Sequence, residues 1–304
     1  MSIDTSVDIA GLRLKNPVIA ASGTFGFGRE YSKYFDLSRI GGIAVKGLTL
    51  KEQQGNPPPR VTETPSGMLN AIGLQNPGVE AFIRDEIPFL RWYDTAIIAN
   101  IAGKTADDYR EMCRILSDAD IDAIELNISC PNVKAGGLAF GATPEGVLSI
   151  VGAVRPLCKK PLIVKLSPNV ASIKDVAAAA EAGGADAVSL INTLLGMQID
   201  IYKRRPILKN NTGGLSGPAV RPVAVRMTYE AARVVNIPVI GMGGITCGAD
   251  AAEFLLAGAS AVMVGTASFT NPTACADVAD GITEYMLRTG AKSLKDIVGK
   301  LKVY

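Results

Sequence analysis

"SIKDVAAAAEAGGADAVSL" (172–190) and "GADAAEFLLAGASAVMVG" (248–265) are two versions of one pattern. Each runs an alanine-rich segment into glycine and then into a short apolar stretch rich in β-branched residues. The first part suits a helix, the glycine its C-terminal stop, and the last part a strand buried on both faces. Reuse of one such βα unit is how a parallel barrel is built. Outward from these two copies, comparable apolar runs recur as "PVIAA" (17–21), "GIAVK" (42–46), "AIIAN" (96–100), "DAIELN" (122–127), "LIVKL" (162–166), "AVSLI" (187–191), "PVIGM" (238–242) and "AVMVG" (261–265). Helical patterns lie between them. "TADDYREMCRILSDA" opens on Thr105 as N-cap with acids in its first turn, and "TPEGVLSIVGAVRPLC" has Thr143 as N-cap with Pro144 at the first helical position.

Eight strands alternating with helices predict a (β/α)8 TIM barrel, with a doubly wound open sheet as the alternative. No linker or composition break interrupts residues 1–304, so a single domain is expected. Two connections are too long for simple βα loops: residues 47–78, which contain "GNPPPR", and residues 192–217. Both leave the C-terminal ends of strands, so a long inserted loop region is expected at the face where barrel active sites form.

Composition removes many functions. Lys plus Arg number 31 against 29 Asp plus Glu, a net charge of +2, too balanced for a nucleic-acid or membrane-surface binder. No apolar stretch reaches the roughly 18–20 residues of a membrane span, and "MSIDTSVDIAG" lacks the basic start and apolar core of a signal peptide. The five cysteines, at 113, 130, 158, 247 and 275, form no C-x-x-C pair, which argues against zinc or iron–sulfur sites. Their odd number points to a reducing cytoplasm. The chain has no histidine, which excludes every mechanism built on Ser-His, Cys-His or His-ligated metal.

Polar residues recur where the apolar runs end: Ser22, Lys46, Asn100, Asn127, Lys165 and Asn192. Lysine is seldom buried, so two lysines at buried strand ends call for an anionic ligand. "GMGGIT" (241–246) follows the seventh strand and "VGTAS" (264–268) the eighth. Loops at these two places form the recurrent phosphate site of such barrels, where glycine lets backbone N–H groups approach the anion. A phosphorylated substrate or a phosphorylated cofactor such as FMN fits. "ELNISCPNV" (125–133) adds a cysteine and two asparagines beyond the fourth strand, with Pro131 stopping any simple continuation.

"ASGTFGFG" (21–28), "KGLT" (46–49), "GNPPPR" (55–60), "MLNAIGLQNPG" (68–78), "ELNISCPNV", "VKLSPN" (164–169), "INTLLGMQID" (191–200), "GGLSGPA" (213–219), "GGI" (243–245) and "VGTA" (264–267) together resemble the dihydroorotate dehydrogenases of pyrimidine biosynthesis. The resemblance covers essentially the whole chain and is strongest to the class 1B catalytic subunit. The cysteine in "SCPNV" and the lack of a membrane extension set it apart from the membrane-bound class 2 enzymes. "INTLLGMQID" followed by "GGLSGPA" looks like class 1B rather than the fumarate-using class 1A, which stays as the alternative.

The resemblance implies oxidation of (S)-dihydroorotate to orotate with FMN at the barrel mouth. It implies FMN contacts from Ser22, Lys46, Gly47, Asn100, Asn127, Lys165, Ile191 and Gly217, with the phosphate on Gly243, Gly244, Gly265 and Thr266. Lys165 would stabilise negative charge on the reduced ring. The implied substrate contacts are Lys46, Asn70, Ala71, Ile72, Gly73, Leu74, Asn127, Asn132, Asn192 and Thr193, the asparagines offering both a donor and an acceptor to a ring with carbonyls and N–H groups. Cys130 would take the C5 proton, a role a thiolate can fill where no imidazole exists. Cys113, Cys158, Cys247 and Cys275 receive no role. The class 1B pattern further implies NAD as final acceptor, reached through a partner subunit carrying FAD and a 2Fe–2S cluster. The expected assembly is a homodimer of this chain within a cytoplasmic heterotetramer, with some exposed apolar surface near the mouth for docking. From the residues alone, two rivals remain: a Schiff-base aldolase with Lys165 as nucleophile, and an FMN-binding storage or sensor barrel without catalysis.

Overall fold

A computed structural model describes residues 3–129 and 140–304. Eight strands, Val18–Ala20, Gly42–Ala44, Ala96–Ile101, Ala123–Asn127, Leu162–Lys165, Ala187–Leu190, Val239–Met242 and Ala261–Val264, pair in sequence order. All neighbours are parallel, and the eighth strand pairs back on the first, so the sheet is a closed barrel and not an open one. These are the eight apolar runs of the sequence, each trimmed or extended by one or two residues at its ends.

Parallel strands buried on both faces divide their side chains between two cores. One set of alternate residues, Ile19, Ala44, Ile98, Ala123, Ile163, Ala187, Ile240 and Ala261 among them, points into the barrel. The hairpin Val7–Ile9/Leu12–Leu14 closes the N-terminal end, and its Ile9, Leu12 and Leu14 pack against that inner set. The other set, including Val18, Ile43, Ile97, Ile124, Val164, Val188, Val239 and Val262, faces the helices.

The two repeated segments form the helices Ile173–Ala182 and Gly248–Ala257, with Gly183 and Gly258 at their C-caps. Thr105 caps helix Ala106–Ser117, its hydroxyl accepting from Asp108 N–H at 3.1 Å, and Thr143 caps Pro144–Val154 by accepting from Gly146 N–H at 3.2 Å. The latter helix stops short of the predicted Cys158. Pro156 has no N–H to continue the ladder, and Arg155–Leu157 tightens into a single 3₁₀ turn.

The two long connections are not plain loops. Val61–Thr64 and Gly67–Asn70 form a hairpin, Gly67–Asn70 pairs antiparallel with Gly213–Ser216, and that strand pairs with Leu194–Gly196. The excursions after the second and sixth barrel strands are thus joined into one four-stranded sheet at the C-terminal face. Gly67, Gly196, Gly213 and Gly214 dilute its strand signal, which is why the sequence reads there as loop. A ribbon, Ile199–Asp200 with Arg205–Pro206, continues from it.

Candidate active site

The inward rows of the second to sixth strands, followed upward two residues at a time, change character near the C-terminal end. Ala44 leads to Lys46, Ile98 to Asn100, Ala123 to Glu125 and Asn127, Ile163 to Lys165, and Ala187 to Ser189. The side-chain period of two therefore sets a polar ceiling on an apolar floor. Neighbouring strands hold it in register, with Asn100 opposite Glu125, Asn127 opposite Lys165, and Lys165 opposite Ser189. Asn100, Glu125 and Ser189 are fully buried and Lys165 is 5% exposed.

Burial of so many polar groups demands partners. Glu125 accepts from both sides: Asn100 Nδ2 donates to Oε2, and Ser189 Oγ donates to Oε1 at 2.7 Å. Asn100 Oδ1 is buried with no hydrogen-bond partner. Lys46 is pushed below the ordinary lysine value, chiefly by burial and then by the positive charges of Arg60 and Lys165. The lysine ion pairs among the described residues are those of Lys15, Lys159 and Lys203, so neither Lys46 nor Lys165 has a carboxylate beside it. Three cations thus act on one another at a mouth that also holds an unfilled acceptor.

The second-strand excursion folds down over this ceiling. Asn56 Nδ2 donates to Ala71 O at 2.9 Å, Asn56 N–H to Ile72 O at 2.9 Å, and Gln53 Nε2 to Gly73 O at 2.7 Å, clamping residues 70–74. Leu74 Cδ2 and Asn100 Oδ1 flank Gly47 so closely that a Cβ there would sit 3.2 and 3.0 Å from them. From the other side, Asn169 holds the chain after the sixth strand, Nδ2 donating to Thr193 O at 3.0 Å and Oδ1 accepting from Leu195 N–H at 3.0 Å. Asn192 accepts from Thr193 N–H at 2.9 Å through Oδ1.

A third wall comes from glycines. Gly217 (φ +95°) and Gly244 (φ +77°) occupy the left-handed region. A Cβ on Gly217 would lie 2.6 Å from Gly67 Cα, and one on Gly244 would lie 2.8 Å from Gly217 O. No other residue fits there. Gly243 sits against Ala224 and Ile191, and Thr266 Oγ1 donates to Ser216 Oγ at 2.8 Å, tying the loop after the eighth strand to the mouth sheet. Ser22 is half-buried after the first strand, and its neighbour Gly23 faces Lys46 Nζ.

All the expected residues within the described chain, from Ser22 to Thr266, thus stand on the C-terminal side of the strands. Cys130 and Asn132 lie outside the described residues. Glu125, Ser189, Arg60 and Asn169 also belong to the arrangement and received no role from sequence. For Glu125 and Ser189 a signal existed: each is the polar member of an inward row two residues above an alanine. Of the remaining cysteines, Cys113, Cys158 and Cys275 are buried, and Cys247 is exposed at the start of helix Gly248–Ala257. Burial pushes the Cys275 thiol up to about 12, and a hydrogen bond shared by Cys113 and Cys158 raises the first and lowers the second.

Comparison with known proteins agrees with this geometry. The family model for dihydroorotate dehydrogenase matches residues 5–286. A protein of Alkaliphilus metalliredigens named dihydroorotate dehydrogenase B (NAD(+)), catalytic subunit, is 59% identical over 299 residues, covering 98% of this chain and 99% of the relative. A protein of the same name from Bacteroides fragilis is 56% identical over 301 residues, covering 99% of each chain. Among solved structures, DHODH from Eimeria tenella, in complex with ferulenol, superposes with a TM-score of 0.83 at 25% identity, covering 97% of this chain and 88% of its own. The chain belongs to the dihydroorotate dehydrogenase family.

Proposed function

We propose that the chain is the catalytic subunit of an NAD-linked dihydroorotate dehydrogenase, oxidising (S)-dihydroorotate to orotate in pyrimidine biosynthesis with FMN in the barrel mouth. One observation carries the reading: half-buried Lys46 and buried Lys165 have no carboxylate partners, and the mouth they share also holds the unpartnered Asn100 Oδ1. A flavin mononucleotide fits such a site. It brings an N–H for the orphan acceptor, carbonyls and an electron-rich ring for the lysines, and a phosphate for the glycine wall of Gly217, Gly243, Gly244 and Gly265 with Thr266. When bound, FMN supplies the acceptor for the hydride on C6 of dihydroorotate.

The chain's own residues do the rest. Asn127, Asn192, Thr193 and the clamped segment Asn70–Leu74, with Asn132, hold the planar substrate by donors and acceptors around its edge. Lys46 attracts its carboxylate, and binding that anion relieves the repulsion from Arg60 and Lys165. Lys165 stabilises the negative charge that builds up as the hydride is transferred. Cys130 removes the C5 proton. In support, the chain has no histidine, and this cysteine is three residues beyond Asn127 in the sequence.

The electrons then leave through a partner subunit with FAD and a 2Fe–2S cluster, and NAD receives them. Among the described residues no group of three or more His, Cys, Asp or Glu side chains could hold a metal. The mouth sheet and its ribbon expose Leu195, Met197, Ile199, Ile201 and Tyr202, a surface suited to a partner. No helix among the described residues is long and apolar enough to cross a membrane. The thiols among the described residues, free and mostly buried, suit a reducing cytoplasm, and a single-domain barrel paired with itself inside a heterotetramer is the assembly proposed.

The test is spectroscopic. The purified chain should be yellow, release FMN and not FAD on denaturation, and bleach with dihydroorotate. It should pass electrons to a dye yet reduce little NAD until the partner is added. A folded, colourless chain that takes up no FMN would end the flavin reading, and borohydride trapping of a carbonyl substrate on Lys165 would favour the aldolase. Robust NAD reduction by the chain alone would remove the partner, and efficient turnover with fumarate would move the protein to class 1A.

A further inference from the structure

The mouth contains one buried charge to which the proposed chemistry gives no task. Glu125 is fully buried, and no carboxylate-to-cation pair among the described residues includes it. Its two oxygens are instead occupied by Asn100 Nδ2 and Ser189 Oγ. A carboxylate is acceptor-only, so it can face the nitrogen of the Asn100 amide and never its oxygen without setting two acceptors together. The amide is thereby turned one way, with Oδ1 directed to the space beside Gly47 and Leu74, where it has no partner.

We infer that Glu125 is a positioning residue whose buried carboxylate locks the Asn100 amide with its oxygen toward the cofactor site, so that the site offers an acceptor to an N–H or O–H of the bound nucleotide. The inference rests on the FMN reading above. Desolvating a carboxylate is costly, and two hydrogen bonds from neutral groups offset only part of that cost. A residue kept only for packing would be apolar here, as Ala123 below it on the same strand and Ile163 opposite it on the next are. The acceptor oxygen set against Asn100 Nδ2 instead removes the two-fold ambiguity that an amide otherwise has. Ser189 completes the device by filling the second oxygen, which leaves the carboxylate no reason to rotate.

Titration of FMN into apoprotein, followed by quenching of flavin fluorescence, tests the inference without any turnover. Folding of each variant is checked by circular dichroism and melting. In Glu125→Gln the new amide can donate to Ser189 Oγ and keep its oxygen for Asn100, so FMN affinity should stay within about threefold of wild type. In Glu125→Ala the Asn100 amide is free to turn, and affinity should fall by about tenfold. Asn100→Asp sets two carboxylates face to face and should lose more. Combining Asn100→Asp with Glu125→Gln restores the pairing with donor and acceptor exchanged, and still turns a carboxylate oxygen to the site. That double variant should recover affinity to within about threefold of wild type. A folded Glu125→Ala protein with wild-type affinity would overturn the inference. So would a double variant that fails to fold or binds FMN more than tenfold weaker than wild type. Wild-type chain that takes up no FMN would instead sink the flavin reading, and this inference with it.

Discussion

The lower and upper halves of the barrel interior are made by the same strands and obey the same alternation, yet they do opposite things. Below, Ile19, Ile98, Ile163, Ile240 and Met263 pack with Ile9, Leu12 and Leu14 into a dry plug. Above, Lys46, Asn100, Glu125, Asn127 and Lys165 occupy the equivalent inward positions. The lower half lowers the free energy of the fold by burying apolar surface. The upper half raises it by holding like charges together and leaving an acceptor unfilled, a cost that only a ligand can relieve. Substitutions should therefore separate cleanly into those that unfold the protein and those that silence it.

The largest expected effect is on catalysis. Cys130→Ala should slow flavin reduction by roughly 10²–10⁴-fold, the contribution of a general base, while orotate still binds. Ordinary thiols ionise near pH ~8.5, so the wild-type step should accelerate as pH rises through the mildly alkaline range. Stopped-flow traces across pH 7–9 check both, and an alanine variant that bleaches at the normal rate would remove Cys130 from the mechanism. Next comes the plug. Leu14→Ala should cost about 2–5 kcal/mol in denaturant unfolding, as buried leucine truncations do, with FMN content per folded molecule unchanged. Loss of flavin in a folded Leu14→Ala protein would blur the division between the halves.

A smaller effect of opposite sign is expected at Lys46. Its folded-state pKa is lowered by burial and by Arg60 and Lys165, so near that value the unfolded chain binds the extra proton. The penalty is fully present at pH below the folded value and fades as pH rises toward the ordinary 10.5. Lys46→Met should thus raise the apoprotein melting temperature at neutral pH by about 2–4 °C, the shift that roughly 1 kcal/mol gives a large domain, and should lose substrate binding. The gain should shrink toward pH 10, and a melting temperature that falls would show that the charge is not a burden. The smallest effect belongs outside the barrel. Tyr202→Ser, at a fully solvated position on the ribbon, should change stability by less than about 0.5 kcal/mol and leave dye-linked oxidation intact.

The barrel was legible because its signal is redundant. Eight apolar runs, two nearly duplicated βα units and the Thr105 and Thr143 caps all point to one topology, and local preference agrees with the global fold. Lys46 and Lys165 were legible for the opposite reason, since a charge inside an apolar run violates the pattern. Glu125 and Ser189 violate it as well, but acidic and hydroxyl residues at strand ends are common, and their significance lies in the hydrogen bonds that Asn100 and Ser189, on two other strands, both donate to Glu125. Those bonds depend on barrel register, which no single run specifies. The mouth sheet was hidden by its glycines, and its pairing of Leu69 with Leu215 joins segments that share no local signal.

That pairing has a kinetic consequence. Asn70 and Gly214, linked through Asn70 Nδ2 to Gly214 O at 3.4 Å, are 144 residues apart in sequence. Chain entropy makes such a closure costly unless something else first brings the ends together, and here that is the closing of the barrel between its second and sixth strands. The mouth sheet is accordingly a late event in folding, assembled on a finished scaffold. In pulse-labelling hydrogen exchange, the amides of Ile98, Ile163 and Ile240 should become protected before those of Leu69 and Leu215. On that order the mouth, whose upper wall is that sheet, should be completed last.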